Sequence, residues 1–314
     1  MRGEIGMKFA ARINSFKEKG KTTLDIINEI SEIEKITHVD LNYPEHFENI
    51  DINELKKLLN EKNIKVNGIA LRFRDEFKNG ELGNYNREIA GKAKKLCLEA
   101  VDTAVQMGAE VVTIWLGYDG FDYSFQISYE KVWMELISSF KEIAGYNKDI
   151  KISIEYKPFQ PRAYSMIPSI GTTLLMIDDV KEDNIGITLD YCHMLMKGEN
   201  PAYGLALAAS RNKLYGIHMN DGHGLNDDGL ITGSITFIQT LEFIYYLKKY
   251  SYNSAIYFDT FPIRENGQNE VRKNIEIYEK LNSLVDKIGL KRIEEIVNKN
   301  DAVAAQDILL ECIK

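Results

Sequence analysis

Residues 185–193 read I-G-I-T-L-D-Y-C-H, a short apolar run that ends on Asp190, with His193 shortly beyond it. Working outward, the same form recurs: I-S-I-E-Y-K-P ends its run on Glu155, Y-G-I-H-M-N-D on His218 and A-I-Y-F-D-T-F on Asp259. Each run is rich in Ile, Tyr or Leu, as a buried strand is. Parallel strands closing into a barrel would bring these four ends together over one mouth. Three carboxylates and one imidazole around a common centre suit a divalent ion such as Mn²⁺, Mg²⁺ or Co²⁺. The pattern reads as a metal site, and as a candidate active site.

The rest of the chain keeps this rhythm. Strands are predicted near Lys8–Ile13, His38–Leu41, Val66–Arg72, Glu110–Trp115, Lys151–Tyr156, Ile185–Asp190, Tyr215–Met219 and Ala255–Asp259. Between them, Asp51 and Glu54 form a capping box ahead of Leu55, Leu58 and Leu59. A stripe of Ile89, Ala93, Leu96, Ala100, Ala104 and Met107 marks a long helix that Gly108 ends. Ser128 and Ser234 are read as the openings of two more helices. Strands and helices alternating in this number give a (β/α)8 barrel. An open doubly wound sheet would place its ligand at one switch point and would not need four functional strand ends in succession.

The barrel is expected over residues 1–286, followed by a helical tail over 287–314. The tail's Ile293, Ile296, Val297, Ile308 and Leu309 form an apolar face surplus to the barrel. A neighbouring subunit is its expected acceptor, in a homodimer or homotetramer, with the barrel's own underside as the other candidate.

At 314 residues and 44% apolar content, one domain suffices. A formal charge of −8 argues against nucleic acid, which needs a basic groove. Cys97, Cys192 and Cys312 are scattered and odd in number, so reduced thiols in the cytoplasm are expected. The N-terminal M-R-G-E-I-G-M lacks an apolar core for export, and no apolar run is long enough to span a membrane. Gly20-Lys21-Thr22 echoes a phosphate loop, but Ser15 stands where its first glycine belongs.

Several residues near the strand ends carry chemistry. Glu155 and Lys157 lie on one face of an extended strand, either as ligand and charge stabiliser or as a plain salt bridge. His193 follows Asp190 closely, as a substrate contact or an ordinary surface residue. The loop His218–Leu230 gathers Asp221, Asp227 and Asp228 among glycines, as oxygen ligands or as a solvated acidic loop. Its spacing excludes a helix–loop–helix calcium site. Trp115 ends a strand and could wall a sugar ring; Phe121, Tyr123 and Phe125 read as core or rim.

These motifs resemble the xylose isomerase-like barrel superfamily, most closely its rhamnose isomerase-like sugar isomerases. They are W-L-G-Y-D-G-F-D-Y-S-F-Q from Trp115, E-Y-K-P-F-Q-P-R from Glu155, T-L-D-Y-C-H from Thr188, G-E-N-P-A from Gly198, I-H-M-N-D from Ile217, D-D-G-L-I-T-G-S from Asp227 and Y-F-D-T-F-P-I-R from Tyr257. They run in the family's order over about half the chain, roughly residues 110–265.

The resemblance implies that Glu155, Asp190, His218 and Asp259 bind a divalent ion, Mn²⁺ first, with Co²⁺ or Mg²⁺ as alternates. It implies that Lys157 and His193 contact a monosaccharide's oxygens, with Trp115 and Asp227 completing the substrate set. Glu155, Lys157, Asp259 and His193 are then the catalytic candidates. Two-metal members hold a second ion with a D-x-D-L loop. Here the loop is Asp227-Asp228-Gly229-Leu230, so Asp227 or Asp228 would have to serve.

The family's chemistry moves hydrogen between C1 and C2 of a sugar or inverts C3 of a ketose. Ketose 3-epimerases carry Glu at the fourth strand end; the shorter Asp259 points to aldose–ketose isomerisation. A 3-epimerase using Glu155 and Asp259 is the alternative, followed by an inosose-type dehydratase and a non-catalytic sugar-binding barrel. A DNA-repair endonuclease of this fold needs a histidine-rich trinuclear zinc site, which five histidines and an acidic balance do not supply. Side chains of the N-terminal loops, including His38, Asp40, His46 and Arg72, are expected to select the sugar.

Overall fold

The computed structural model describes residues 7–313. The stretch M-R-G-E-I-G, read above for an export signal, lies outside them. In chain order the strands are β1 (Phe9–Arg12), β2 (Ile36–Tyr43), β3 (Lys65–Leu71), β4 (Val111–Trp115), β5 (Gly120–Phe121), β6 (Lys151–Glu155), β7 (Tyr164–Ser165), β8 (Ile185–Asp190), β9 (Leu214–Met219) and β10 (Ile256–Phe258). All but β5 and β7 are parallel and close in the order β1-β2-β3-β4-β6-β8-β9-β10. The short β5 and β7 pair antiparallel beside the mouth. Every predicted barrel strand is present, with no end shifted by more than two residues. The chain is a (β/α)8 barrel.

The helices are α1 (Thr23–Ile30), α2 (Ile52–Glu61), α3 (Arg87–Met107), α4 (Tyr129–Tyr146), α5 (Ile170–Val180), α6 (Tyr191–Lys197), α7 (Pro201–Ala209), α8 (Phe237–Lys249), α9 (Gly267–Ile288), α10 (Leu290–Lys299) and α11 (Ala302–Cys312). Their starts follow local chemistry. Ser128 caps α4 through the Lys131 amide, and α3 stops at Gly108, whose φ of 71° a side chain would resist. Two expected caps differ. Asp51 caps α2 through the Asn53 amide without a returning Glu54. Ser234 does not open α8; the buried Asp221 carboxylate accepts from the Ile235 and Thr236 amides instead. A side chain distant in sequence thus orders the turn ahead of α8, which a local spacing rule cannot see.

Alternation divides each strand between two environments. On β6, Ile152 and Ile154 join the main apolar core between strands and helices. Ser153 faces inward, where its hydroxyl meets Thr188 Oγ1 at 2.6 Å. The main driving force thus lies outside the barrel wall, in residues such as Val39, Leu41, Ile69, Val112 and Ile187, all with no exposed surface. The interior is left for small and polar groups, and this allows charged side chains at the mouth.

The tail folds back on the barrel's outer helices. Ile293 is buried, Lys249 pairs with Glu294, and Arg292 ties α10 to Glu311 of α11. The apolar surface beneath comes from Leu241 and Tyr245 of α8 and Val285 of α9. The same chain therefore accepts one face, at its flank and not its underside. Val303, Leu310 and Ile313 remain exposed. No helix among the described residues is long and apolar enough to cross a membrane.

Candidate active site and metal centre

Asp190 ends β8 and caps α6 at once. Its Oδ1 accepts from the His193 amide at 3.0 Å, so the chain turns from strand directly into helix. That turn, not a loop, carries His193 over the mouth. On the neighbouring strand, His218 pairs in register with Asp190. Glu155 is the last residue of β6, and Asp259 is the first beyond β10.

One ligand atom from each of Glu155, Asp190, His218 and Asp259 lies within 4.8 Å of the others, and all four residues are buried. His218 Nδ1 is 3.3 Å from Glu155 Oε2 and 3.9 Å from Asp259 Oδ2. Neither His218 Nδ1 nor Asp259 Oδ1 completes a hydrogen bond within the protein. The group's demand for positive charge is plain in the imidazole. Burial opposes protonation of His218, yet Glu155, Asp259 and Asp40 together raise its pKa to about 10. Burial alone would raise Glu155, but His218 and His193 draw it down to about 2. Burial drives Asp190 up to about 7, with His193 opposing and the neighbouring carboxylates adding to the rise. A buried set of three carboxylates and an imidazole, with His218 Nδ1 left without a hydrogen-bond partner, fits a divalent cation.

Neighbours hold these groups in place. Asn220 Nδ2 donates to Asp190 Oδ2 at 3.1 Å and to the Asp259 carbonyl at 3.0 Å, while its Oδ1 accepts from the Cys192 amide. Arg12 Nε stands 2.7 Å from Asp259 Oδ1, and its guanidinium lies over the Phe261 ring. The sequence reading missed both. Asn220 sits two residues past His218, just beyond the end of β9. Arg12 is the last residue of β1, and the strand-end logic applied to the other strands would have found it had the run not been extended to Ile13.

A second group, Asp190, His193 and Asp227, also has ligand atoms within 4.8 Å of one another. Asp227 Oδ2 accepts from Lys157 Nζ at 2.9 Å and lies 3.2 Å from His193 Nε2. Those two cations hold its carboxyl well below the usual range, against burial. His193 rises to about 9 against burial, through Asp190 and Asp227 chiefly. Of the loop's other aspartates, Asp221 holds the turn ahead of α8 and Asp228 turns back to accept from the His223 amide at 2.7 Å. Gly229 has φ of 56°, and a Cβ there would run into the Phe261 ring. The position therefore cannot bear a second aspartate without displacing Phe261.

The cavity above is lined by Glu155, His218 and Asp259 of the cluster, by Lys157, His193 and Asp227, and by Arg12, Arg72, Trp115, Tyr257 and Phe261. Of the residues expected to select the sugar, only Arg72 reaches it. His38 lies at the opposite barrel end among Lys8, Lys65 and Lys151. His46 is buried between the Asn42 amide and Asn14 Oδ1. Asp40 sits inside the barrel, accepting from Asn67, and burial raises it to about 7. Tyr123 and Phe125 are exposed rim residues, while Phe121 stacks on Tyr164.

The family model for the xylose isomerase-like TIM barrel matches residues 32–281. The chain belongs to that family. It is 25% identical over 228 residues to the xylose isomerase of Thermus thermophilus, across 70% of this chain and 59% of that protein. The chain thus spans less than two thirds of that relative's length. Among solved structures, the D-allulose 3-epimerase of a Methylomonas species superposes with a TM-score of 0.72 at 18% identity, covering 87% of this chain and 96% of that one. A xylose isomerase domain protein from Alicyclobacillus acidocaldarius gives 0.70 at 16% identity, covering 90% and 100%. Both share the fold.

Proposed function

We propose that this chain is a divalent-metal-dependent aldose–ketose isomerase acting on a monosaccharide. The observation that carries this reading is the buried cluster of Glu155, Asp190, His218 and Asp259 at the barrel mouth, with Lys157 and His193 beside it. Mn²⁺ is the first choice of ion, with Co²⁺ or Mg²⁺ as alternates. When bound, the ion would polarise adjacent substrate oxygens and stabilise charge developing on them.

The protein's own groups do the rest. Lys157, held by Asp227 and 5.4 Å from the Trp115 ring centroid, offers Nζ to an oxygen that gains negative charge. His193 Nδ1 faces the Tyr156 carbonyl at 3.0 Å and Nε2 faces Asp227 Oδ2 at 3.2 Å, so both ring nitrogens are held and the imidazole is fixed at the cavity wall. Trp115 walls the sugar and limits water. Asp227 serves Lys157 and His193, so the reading here is one resident ion, with Asp190, His193 and Asp227 the other set among the described residues that could take one. The xylose isomerase relatives, and the motif resemblance to rhamnose isomerase-like enzymes, support a sugar as substrate. Free cysteines support a reducing, cytoplasmic setting, and the exposed apolar residues of α11 support a homo-oligomer.

A ketose 3-epimerase is the second reading, favoured by Glu155 and Asp259 facing one cavity from different strands. The ion pair between Asp259 and Arg12 favours the isomerase, because it commits one oxygen of that carboxylate to a cation. A panel of aldoses and ketoses incubated with Mn²⁺, Co²⁺ or Mg²⁺ decides between them. The aldose should form from its ketose. Exclusive formation of the C3-inverted ketose would make the chain an epimerase, and no conversion of any sugar would remove both readings.

A further inference from the structure

Three cationic side chains besides the histidines line the cavity, and they are not alike. Arg12 faces Asp259, and Lys157 donates to Asp227. Arg72 has no ion-pair partner among the described residues, and its buried Nε has no hydrogen-bond acceptor. Beside it, Trp115 Nε1 is also buried without an acceptor, with the guanidinium carbon 6.0 Å from the indole centroid. Glu155 feels the charge of Arg72, but that carboxylate already faces His218 and His193 at 3.3 and 3.6 Å.

Position makes the pair informative. Arg72 follows β3 and Trp115 ends β4, whereas the candidate metal ligands stand on β6, β8, β9 and just past β10. In the barrel order, β3 lies opposite β9, while Trp115 of β4 stands between, in register with Glu155 of β6. A sugar held by one end at the carboxylate cluster therefore extends past Trp115 toward Arg72. Donors buried without acceptors are unfavourable, and two together mark where an acceptor from outside belongs. A hydroxyl would satisfy the hydrogen bonds and leave the charge unmatched. A planar guanidinium matches a carboxylate or phosphate through paired N–H···O bonds.

Resting on the isomerase reading, we propose that Arg72 and Trp115 bind a terminal anionic group, so that the site takes acidic sugars in preference to neutral ones. The competing use of Arg72 is to offset the negative cluster from a distance, which requires charge but no directed donors.

The test uses the full chain loaded with Mn²⁺. kcat/KM is measured for ribose against ribose 5-phosphate, and for glucose against glucuronate. The acidic member of at least one pair should be favoured, and which pair responds separates phosphate from carboxylate. Arg72→Met should cut that acidic-to-neutral ratio by roughly tenfold or more, as for loss of a charge-assisted hydrogen bond. Arg72→Lys should recover only part of it. Neutral preference in both pairs overturns the proposal, as does a ratio indifferent to Arg72. Binding of sorbitol 6-phosphate and of gluconate, each against sorbitol, is measured by calorimetry and needs no turnover. If no sugar is converted, the isomerase reading falls and this arm decides alone. Stronger binding of either anion that depends on Arg72 sustains the proposal; equal or absent binding ends it.

Discussion

Asp259 answers to two neighbours at once: Oδ1 faces Arg12 at 2.7 Å, and Oδ2 faces His218 at 3.9 Å. Asp190 is likewise shared, between the His193 amide and Asn220. Such partners fix the direction of each carboxylate before anything binds. Asn220→Ala should therefore weaken Mn²⁺ binding by about 10- to 100-fold, the range for lost outer partners of a metal site. Calorimetric affinity equal to that of the parent would show that Asn220 only closes the turn. Lys157→Met keeps most of the volume and removes the charge. Metal should stay bound while kcat falls by roughly 10²-fold or more, as when a charge stabiliser is lost. Normal turnover would reduce Lys157 to the salt-bridge partner of Asp227. The four cluster residues and Lys157 were legible in the sequence because each closes or directly follows a short apolar run. Asn220 and Arg12 were not, since their value lies in which side chain they meet across the barrel.

At the scale of elements, the segments leading into α3 and out of β4 share a buried acidic pair. The Asp119 carboxylate accepts from the Glu81 and Gly83 amides, and Glu81 Oε1 accepts from Tyr118, while Glu81 Oε2 has no partner. Burial and then Asp119 raise Glu81 well above the ordinary value; burial raises Asp119 to about 6. Both shifts are upward, so the folded state holds these protons more tightly than the unfolded chain. Their contribution is greatest at low pH and is lost as pH rises through the folded values. Glu81→Gln stays neutral, so its thermal midpoint should gain on the parent's as pH rises above the ordinary carboxylate range. Parallel curves for the two proteins would refute the assignment.

The tail is the other element with a testable role. Removing residues 290–314 uncovers Leu241, Tyr245 and Val285, so the unfolding midpoint should fall. Loss of Val303, Leu310 and Ile313 should also give a smaller species by light scattering. An unchanged number of subunits would assign the tail to its own barrel alone. Periodicity showed that these helices were apolar on one side. It could not show that α8 and α9 would accept that side, because the match depends on surfaces brought together only by closure of the barrel.

Over the whole molecule, strand order and side-chain alternation explain why the barrel interior can be polar. Hydrophobic residues turned outward hold the helices, and the inward row is free to carry Ser153, Thr188 and, at the mouth, the charged cluster. Closure was legible from the alternating pattern; the sugar was not, since the cavity wall comes from β1, β3 and β4 ends whose residues look ordinary in sequence. The central claim is that turnover depends on an ion held by Glu155, Asp190, His218 and Asp259. The most direct measurement is ketose-to-aldose conversion against metal content in a chelated and then Mn²⁺-titrated preparation. The account predicts no conversion without metal and activity that rises in proportion to bound ion. Full conversion by demonstrably metal-free protein would contradict it.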